Sequence, residues 1–376
     1  MVSRRAVVAV VAGALAAFAG CQILAGIEDR SHDAPFDATV EAAPPAAEAG
    51  VDGGASCDPL VPPLRPGPTA AEPRLELAFA VDSIVLDAPD AGYDLDNACT
   101  CKDGPGDPGS CVSQSPRCDG PRGLDNALAA VIQSALGGSF ATENTNNRIK
   151  SGEIDVLLRL GDYNGSENDD AVVVALFASN GTAGATPEAD AGPPPRFDGT
   201  DTWTVDPESL LEVDAGADGG IAKFATSDAY VRSSSFVARS SIAYLGLGDL
   251  VLRIAGATVT GDIDLAAHPY RIHRGRISGR IGANELLSSL SHINLGSISL
   301  CPGGPGATGL YERARSTVCA ARDIASDPSR DGKGEPCDAV SVGIGFTAVE
   351  AKLGPVRARQ FDPLGCDAGP EAYRCP

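Results

Sequence analysis

Residues 154–177 read IDVLLRLGDYNGSENDDAVVVALF. Apolar side chains alternate along residues 154–160, as they do on one face of a strand, and residues 172–177 form a continuous apolar run. Between them, residues 161–165 include two glycines and an asparagine, which are typical turn residues. This stretch therefore predicts a β-hairpin in the middle of the chain.

Strand-like segments continue on both sides of the hairpin. Residues 75–81 alternate upstream, and residues 340–346 alternate near the C-terminus. Short strands are also predicted at 229–232, 236–239, 250–254, 258–265, 270–273 and 276–281, with a turn at 274–275. Helices are predicted after a cap at Asp125 or Asn126, after Asn284 and over residues 311–324. This pattern favours a mainly β (α+β) fold: an antiparallel β-sandwich or curved sheet with a few short helices.

The N-terminus predicts export. Arg4 and Arg5 precede fourteen uncharged residues, 6–19, a run shorter than the roughly 20 residues that cross a bilayer as a helix. A positive start, a short apolar run and small residues after it are typical of a cleaved signal peptide, residues 1–20. The small residues end at Cys21, so the segment resembles a bacterial lipobox, in which the cysteine is acylated. An ordinary signal peptide with a chance cysteine is the alternative.

Acylation of Cys21 would anchor the protein to a membrane through palmitate-type chains. Each buried methylene contributes about 0.8 kcal/mol, so several chains bind with negligible release. Gln22 follows the cysteine, and an Asp that would resemble an inner-membrane retention signal is absent. We therefore expect an outer-membrane lipoprotein, facing either the periplasm or the cell surface.

Composition separates a tether from a folded body. Residues 28–72 are rich in Ala, Pro, Asp and Glu and hold few large apolar groups, so residues 21–72 are predicted to be an acidic, disordered tether. Residues 73–376 are predicted to be one β-rich domain. Within it, residues 180–222 are predicted to be a low-complexity loop.

The cysteines indicate an oxidised body. Eleven are present, and lipidation of Cys21 leaves ten, an even number that favours disulfides in an exported chain. The candidates are Cys57, Cys99, Cys101, Cys111, Cys118, Cys301, Cys319, Cys337, Cys366 and Cys375. Five precede residue 119 and five follow residue 300, so complete pairing requires at least one bridge between the two groups. That bridge predicts a single domain; a zinc site at the N-terminal cysteines is the weaker alternative, because CxxC spacing is absent.

Charge restricts the partners. Residues 1–20 contain two Arg and no acid, so their removal changes the formal net charge from −21 to −23. A nucleic-acid partner is not expected against this background, whereas a membrane partner is expected through the anchor. The protein or small-molecule partner stays unknown.

Motifs for catalysis are absent from the sequence, which contains neither HExxH nor G-x-S-x-G. No catalytic residue and no cofactor is therefore predicted. Alternating oxygen side chains at Asp162, Asn164 and Asp170 make a weak calcium candidate, although the spacing lacks the EF-hand glycine and terminal Glu. Asp94, Asp96 and Asn97 make a second weak candidate.

The N-terminal region resembles a known group. Residues 21–28, CQILAGIE, followed by an Asp- and Ala-rich tether, are similar to the start of many predicted myxobacterial lipoproteins. Body segments at 92–97, 123–128, 163–165 and 198–203 resemble members of an uncharacterised group of such proteins. The resemblance implies a surface or periplasmic lipoprotein and implies no activity.

Three functions are consistent with these patterns. The first hypothesis is a non-enzymatic binding or structural module of the cell envelope, displayed on a lipid anchor. The alternatives are a secreted hydrolase whose acids meet only in the fold, and a lipid or lipoprotein carrier with an apolar groove. An acid-lined cleft would favour the hydrolase, and an open apolar cavity would favour the carrier.

Overall fold

The computed structural model describes residues 58–70, 73–100, 109–113, 118–135, 137, 139–184, 192–212, 220–248, 250–295, 298–302, 308–358, 366 and 368–376. The predicted signal peptide, Cys21 and Cys57 lie outside these residues, as does Cys101.

Eight antiparallel strands form a closed barrel in the order β1-β2-β3-β7-β8-β9-β10-β13, with β13 pairing back to β1. They are β1 (Leu75–Val85), β2 (Asp155–Tyr163), β3 (Asp169–Ser179), β7 (Phe224–Arg232), β8 (Ser235–Leu247), β9 (Leu250–Asp264), β10 (Arg271–Gly282) and β13 (Ala339–Val356). The predicted hairpin at 154–177 is the β2–β3 pair, with Leu158 opposite Leu176.

The mainly β, antiparallel prediction is confirmed, but the structure shows a barrel where the sequence predicted a sandwich or a curved sheet. The difference lies in β13, which pairs with β10 along one edge and with β1 along the other. Because the barrel is closed, none of the eight strands is an edge strand, and each forms backbone hydrogen bonds with a neighbour on both sides.

Two predicted breaks do not interrupt their strands. The two segments predicted at 250–254 and 258–265 lie in one strand, β9 (Leu250–Asp264), and those predicted at 270–273 and 276–281 lie in one strand, β10 (Arg271–Gly282). The predicted turn at Arg274–Gly275 is a register shift within β10 where Arg274 has a φ of +48°. A β-bulge of this kind bends a strand without ending it. The turn-type residues at 274–275 therefore mark a bulge within β10, and the predicted turn between two strands is wrong.

The barrel interior is filled with side chains. Residues of alternating positions on every strand are buried in one continuous core, including Phe79, Leu160, Phe236, Ile254 and Ile344. An eight-stranded barrel is just wide enough for side chains to fill, and bulky apolar residues fill this one.

Four helices lie around the barrel. They are α1 (Ala127–Ala135), α2 (Ser139–Ser151), α3 (Ala283–Leu290) and α4 (Thr308–Ala320). Asn126 precedes α1 and its Oδ1 accepts a hydrogen bond from Ala129 N, so Asn126 is the N-cap. Helix α3 starts after Gly282 rather than after Asn284, and α2, which is mostly polar, was not predicted.

The segment predicted as a low-complexity loop covers part of the barrel's outer face. It contributes β4 (Thr202–Val205), which pairs in parallel with β13, and the small pair β5 (Leu210–Glu212) and β6 (Ile221–Ala222). Trp203 is fully buried there, in a second apolar cluster with Leu157 and Phe177, which point away from the barrel interior. The single Trp therefore belongs to an apolar layer on the outside of the barrel wall. Strands β11 (Asn294–Leu295) and β12 (Ile298–Ser299) form a separate short hairpin.

The folded body begins earlier than residue 73. Residues 58–70, assigned to the tether from composition, contact the barrel through several hydrogen bonds. Arg65 forms an ion pair with Asp228 at 2.6 Å, and Thr69 donates to Asp170 Oδ1. Tyr230 donates from its hydroxyl to the carbonyl of Pro63. This proline-rich segment has no regular secondary structure and no apolar periodicity, and polar contacts hold it against the barrel, so its composition alone did not predict that it is part of the body.

Three disulfides are Cys111–Cys337, Cys301–Cys366 and Cys319–Cys375. Cys111–Cys337 joins the N-terminal group of cysteines to the C-terminal group, as the count requires, and spans 226 residues. Cys99 and Cys118 are also disulfide-bonded. In the described part of the chain, no helix combines the length and the apolarity needed to cross a membrane.

Candidate functional site

A layer of buried polar groups lies on the outer face of β10 and β13. Ile277 and Ile281 of β10 belong to the barrel core, so Ser278 and Arg280 between them face outward, and both are buried. Two segments cover Arg280: the described residues between 86 and 126, before helix α1, and residues 321–338, before β13. Polar side chains therefore alternate with apolar ones along this part of β10, because successive side chains of a strand point to opposite faces.

Arg280 connects both covering segments to the barrel. It is 2% exposed, and its guanidinium forms two hydrogen bonds with Asp331, at 2.9 and 2.5 Å. It also donates to the carbonyl oxygens of Ala325 at 2.8 Å and Leu95 at 2.7 Å. The residues that flank Leu95 are Asp94 and Asp96, so this contact helps to fix the acidic cluster described next.

Asp94, Asp96 and Asp125 form an acidic cluster: one oxygen of each carboxylate lies within 4.8 Å of the others. Each carboxylate also accepts one backbone hydrogen bond, from Asn97, Ala98 and Leu95 respectively, at 2.6 to 2.9 Å. Asp94 and Asp125 are buried, and Asp96 is partly exposed.

The chain around Asp94 is anchored on three sides. Asp94 N donates to the carbonyl of Leu60, and Asp125 N donates to that of Tyr93. The Tyr93 hydroxyl lies 2.9 Å from Thr260 Oγ1 of β9. Gly123 has a φ of +69°, and a Cβ there would lie 2.7 Å from both Asp94 Oδ2 and the Ala98 carbonyl oxygen. Only glycine allows the chain to pass this close to the Asp94 carboxylate.

Burial raises the pKa of several carboxyl groups in this region. It raises the pKa of Asp94 to about 6, that of Asp119 to about 6 and that of Asp125 to about 10. The charges of neighbouring carboxylates add to the effect, since Asp96 raises the pKa of all three. Burial likewise raises the pKa of Asp323 to about 6. A cluster with this electrostatic potential holds protons more tightly than isolated acids do, or binds another positive charge.

A cavity of about 210 Å³ borders the cluster and is lined in part by Asp119, Asp125 and Asp323. Two of these carboxylates are held by protein donors. Asp323 accepts hydrogen bonds from Ser341 N at 2.9 Å and from Ser341 Oγ at 2.5 Å, and Asp119 accepts from Thr100 N at 2.6 Å. The cavity therefore has an acidic wall with fixed side chains.

The calcium candidates at the β2–β3 turn are directed to different partners. Asp162 pairs with Arg74 at 2.7 Å, and Asp170 accepts hydrogen bonds from the backbone and hydroxyl of Thr69. Asn164 donates to the carbonyls of Ala70 and Asn168 and so holds the turn itself. The structure instead brings together Asp94 and Asp96 of the second candidate, while Asn97 contributes a backbone N–H to Asp94.

Sequence reasoning missed three residues of this region. Asp125 was considered only as a helix cap, and Asp119 and Asp323 lie far apart in the chain. The one local signal was the Asp94–Asp96 spacing. Asp323 joins the site because the Cys111–Cys337 bridge and Arg280 hold residues 321–338 against residues 86–126.

The fold and site define an eight-stranded antiparallel barrel with disulfides and a buried acidic cluster on its outer face. Comparisons with protein-family models, curated proteins and solved structures found no match to this chain.

Proposed function

We propose that this chain is an exported, lipid-anchored protein of the bacterial cell envelope whose body is a non-enzymatic binding or structural module. The supporting observation is the oxidation state of the body. All eight cysteines in the described residues are disulfide-bonded, and the Cys111–Cys337 bridge joins two segments that lie 226 residues apart. Stable disulfides of this kind form outside the cytosol.

The filled interior supports a structural or binding role over that of a lipid carrier. A carrier needs an apolar space, whereas the interior of this barrel is occupied by side chains such as Phe79, Leu158 and Ile277, all at most 3% exposed. The apolar alternation along residues 250–281 lines a packed core. Rigidity of this kind suits a module that presents its outer surface.

A hydrolase is the second candidate, and one observation favours it. Asp125 borders a cavity beside Asp119, and their pKa values are raised to about 10 and about 6. Two carboxyls with separated pKa values can serve as general acid and base. The hydrogen bonds that hold Asp119 and Asp323 in place favour a structural role for these groups. Hydrolysis of polysaccharide or ester substrates that disappears in Asp125→Asn, with the fold intact, would establish the hydrolase.

The anchor is tested by cell fractionation and labelling. In cells supplied with radiolabelled palmitate, the wild-type chain should carry label and sediment with outer membranes. Cys21→Ala should lose the label and be released from membranes, because Cys21 carries the acyl chains. Gln22→Ala is the matched control and should still be labelled and sediment with membranes. A Cys21→Ala chain that still sediments with membranes would contradict the proposal.

A further inference from the structure

We propose that Asp94, Asp96 and Asp125 bind one calcium ion, which holds residues 94–98 and Asp125 against the outer face of the barrel. The proposal rests on the geometry of these residues and is independent of the lipid anchor.

The first observation is an unpaired buried oxygen. Asp94 is 7% exposed, and its Oδ2 has no hydrogen-bond partner among the described residues. An ionised carboxylate oxygen without a donor is costly to bury, and either protonation of the carboxyl group or a bound cation removes that cost. The carboxylate lies in the cluster, with an oxygen within 4.8 Å of oxygens of both Asp96 and Asp125.

The second observation is that the three carboxylates are positioned independently of an ion. Each accepts a backbone N–H from within residues 95–98. These hydrogen bonds use Oδ1 of Asp94, Oδ1 of Asp96 and Oδ2 of Asp125. Since a carboxylate has two oxygens with several lone pairs, fixing one oxygen leaves the group able to coordinate an ion. A preformed arrangement of ligands reduces the entropy cost of binding.

The third observation is the balance of charge. Three carboxylates of like charge meet in this cluster, and two of them are buried. The buried cation Arg280 already forms a bidentate ion pair with Asp331 and reaches this segment through the carbonyl of Leu95. A bound divalent ion would supply the opposite charge.

The ligand chemistry selects calcium. All three side chains offer hard oxygen donors, which suit Ca²⁺ and Mg²⁺ and not the softer transition metals. Two of the ligands, Asp94 and Asp96, come from one loop, and loop ligands can adapt to the variable geometry of Ca²⁺. Mg²⁺ demands near-ideal octahedral geometry and releases its water reluctantly, so a buried site favours Ca²⁺.

The experiment is isothermal titration calorimetry of the full chain with calcium chloride. The protein is purified in detergent, stripped with EDTA and titrated at physiological ionic strength, with magnesium chloride as the comparison. We expect one Ca²⁺ per chain with a Kd of roughly 0.1–1 mM, in the range of extracellular calcium modules. Binding of Mg²⁺ should be at least tenfold weaker.

Two variants distinguish a specific Ca²⁺ site from nonspecific attraction of Ca²⁺ to the acidic surface. Asp96→Asn changes the most exposed ligand, so the chain should fold, and we expect at least a tenfold loss of Ca²⁺ affinity. Asp162→Asn is the matched control: it removes the same charge at an exposed position on the β2–β3 turn and should leave the affinity unchanged. Circular dichroism verifies that both variants are folded. The proposal is overturned if the wild type binds no Ca²⁺ at 10 mM or if both variants lose affinity equally; Mg²⁺ binding as tight as Ca²⁺ binding overturns the choice of calcium.

Discussion

Arg280→Met should be among the most destabilising single substitutions in the body. The side chain is 2% exposed, and Asp331, its partner, has a side chain that is 15% exposed. Methionine fills a similar volume but donates none of the four hydrogen bonds that the guanidinium makes to Asp331, Ala325 and Leu95. Asp331 is then left as a buried charge without a partner. Breaking a buried ion pair in this way costs about 3–5 kcal/mol of the free energy of unfolding.

Urea unfolding followed by circular dichroism, with the disulfides intact, measures this loss. The matched control is Arg253→Met, which breaks the exposed pair with Glu285. Exposed pairs contribute at most about 1 kcal/mol, so the control should be nearly as stable as the wild type. The double variant Arg280→Met/Asp331→Asn should recover part of the loss, because it also removes the unpaired charge. A loss for Arg280→Met no larger than that of the control would refute the assignment of Arg280 as the connection between both covering segments.

Three further measurements test the fold. Burial raises the pKa of Asp155, so the folded state keeps this proton where the unfolded chain, with a pKa of about 4, has lost it. Stability is therefore lost as pH rises above about 4. Asp155→Asn should be more stabilising at pH 7 than at pH 4, and the opposite trend in urea midpoints would contradict this. Replacing Cys111 and Cys337 by Ser removes a disulfide that spans 226 residues. The free energy of unfolding, measured by urea titration without reductant, should fall by about 3–5 kcal/mol. A loss below about 1 kcal/mol would show that the bridge is dispensable. Trp203, the single Trp, is fully buried, so native fluorescence should be blue-shifted and resist acrylamide quenching; a native spectrum typical of exposed indole would disprove the outer layer.

Much of the strand content could be predicted from sequence. Alternation located β1, the β2–β3 hairpin and β13, because each of these strands buries one side chain in two inside the barrel. The limits of β9 and β10 were harder to locate, since a bulge and a turn use the same residue types. Helix α2 was missed because its mean composition is polar and its burial comes from the barrel beneath it.

The candidate site could be predicted only in part. The spacing of Asp94 and Asp96 is local, and sequence indicated it as an oxygen-rich loop. Asp125 joins them through the hydrogen bond from Leu95 to its carboxylate, a contact made across thirty residues. Neither the raised pKa of Asp125 nor the unpaired oxygen of Asp94 is visible in sequence, because both depend on which groups are removed from water.

Sequence by itself determined the strand-rich character of the body and its even set of cysteines, since alternation and residue counts are properties of the chain. Only tertiary structure decided that the sheet closes, because closure depends on β13 pairing with two strands distant in sequence. Tertiary structure also decided which acids meet. The pairing of strands distant in sequence brings residues 321–338 and the described residues between 86 and 126 onto the same face of the barrel. The pKa values of their acidic groups depend on the burial and the neighbouring charges that they acquire there.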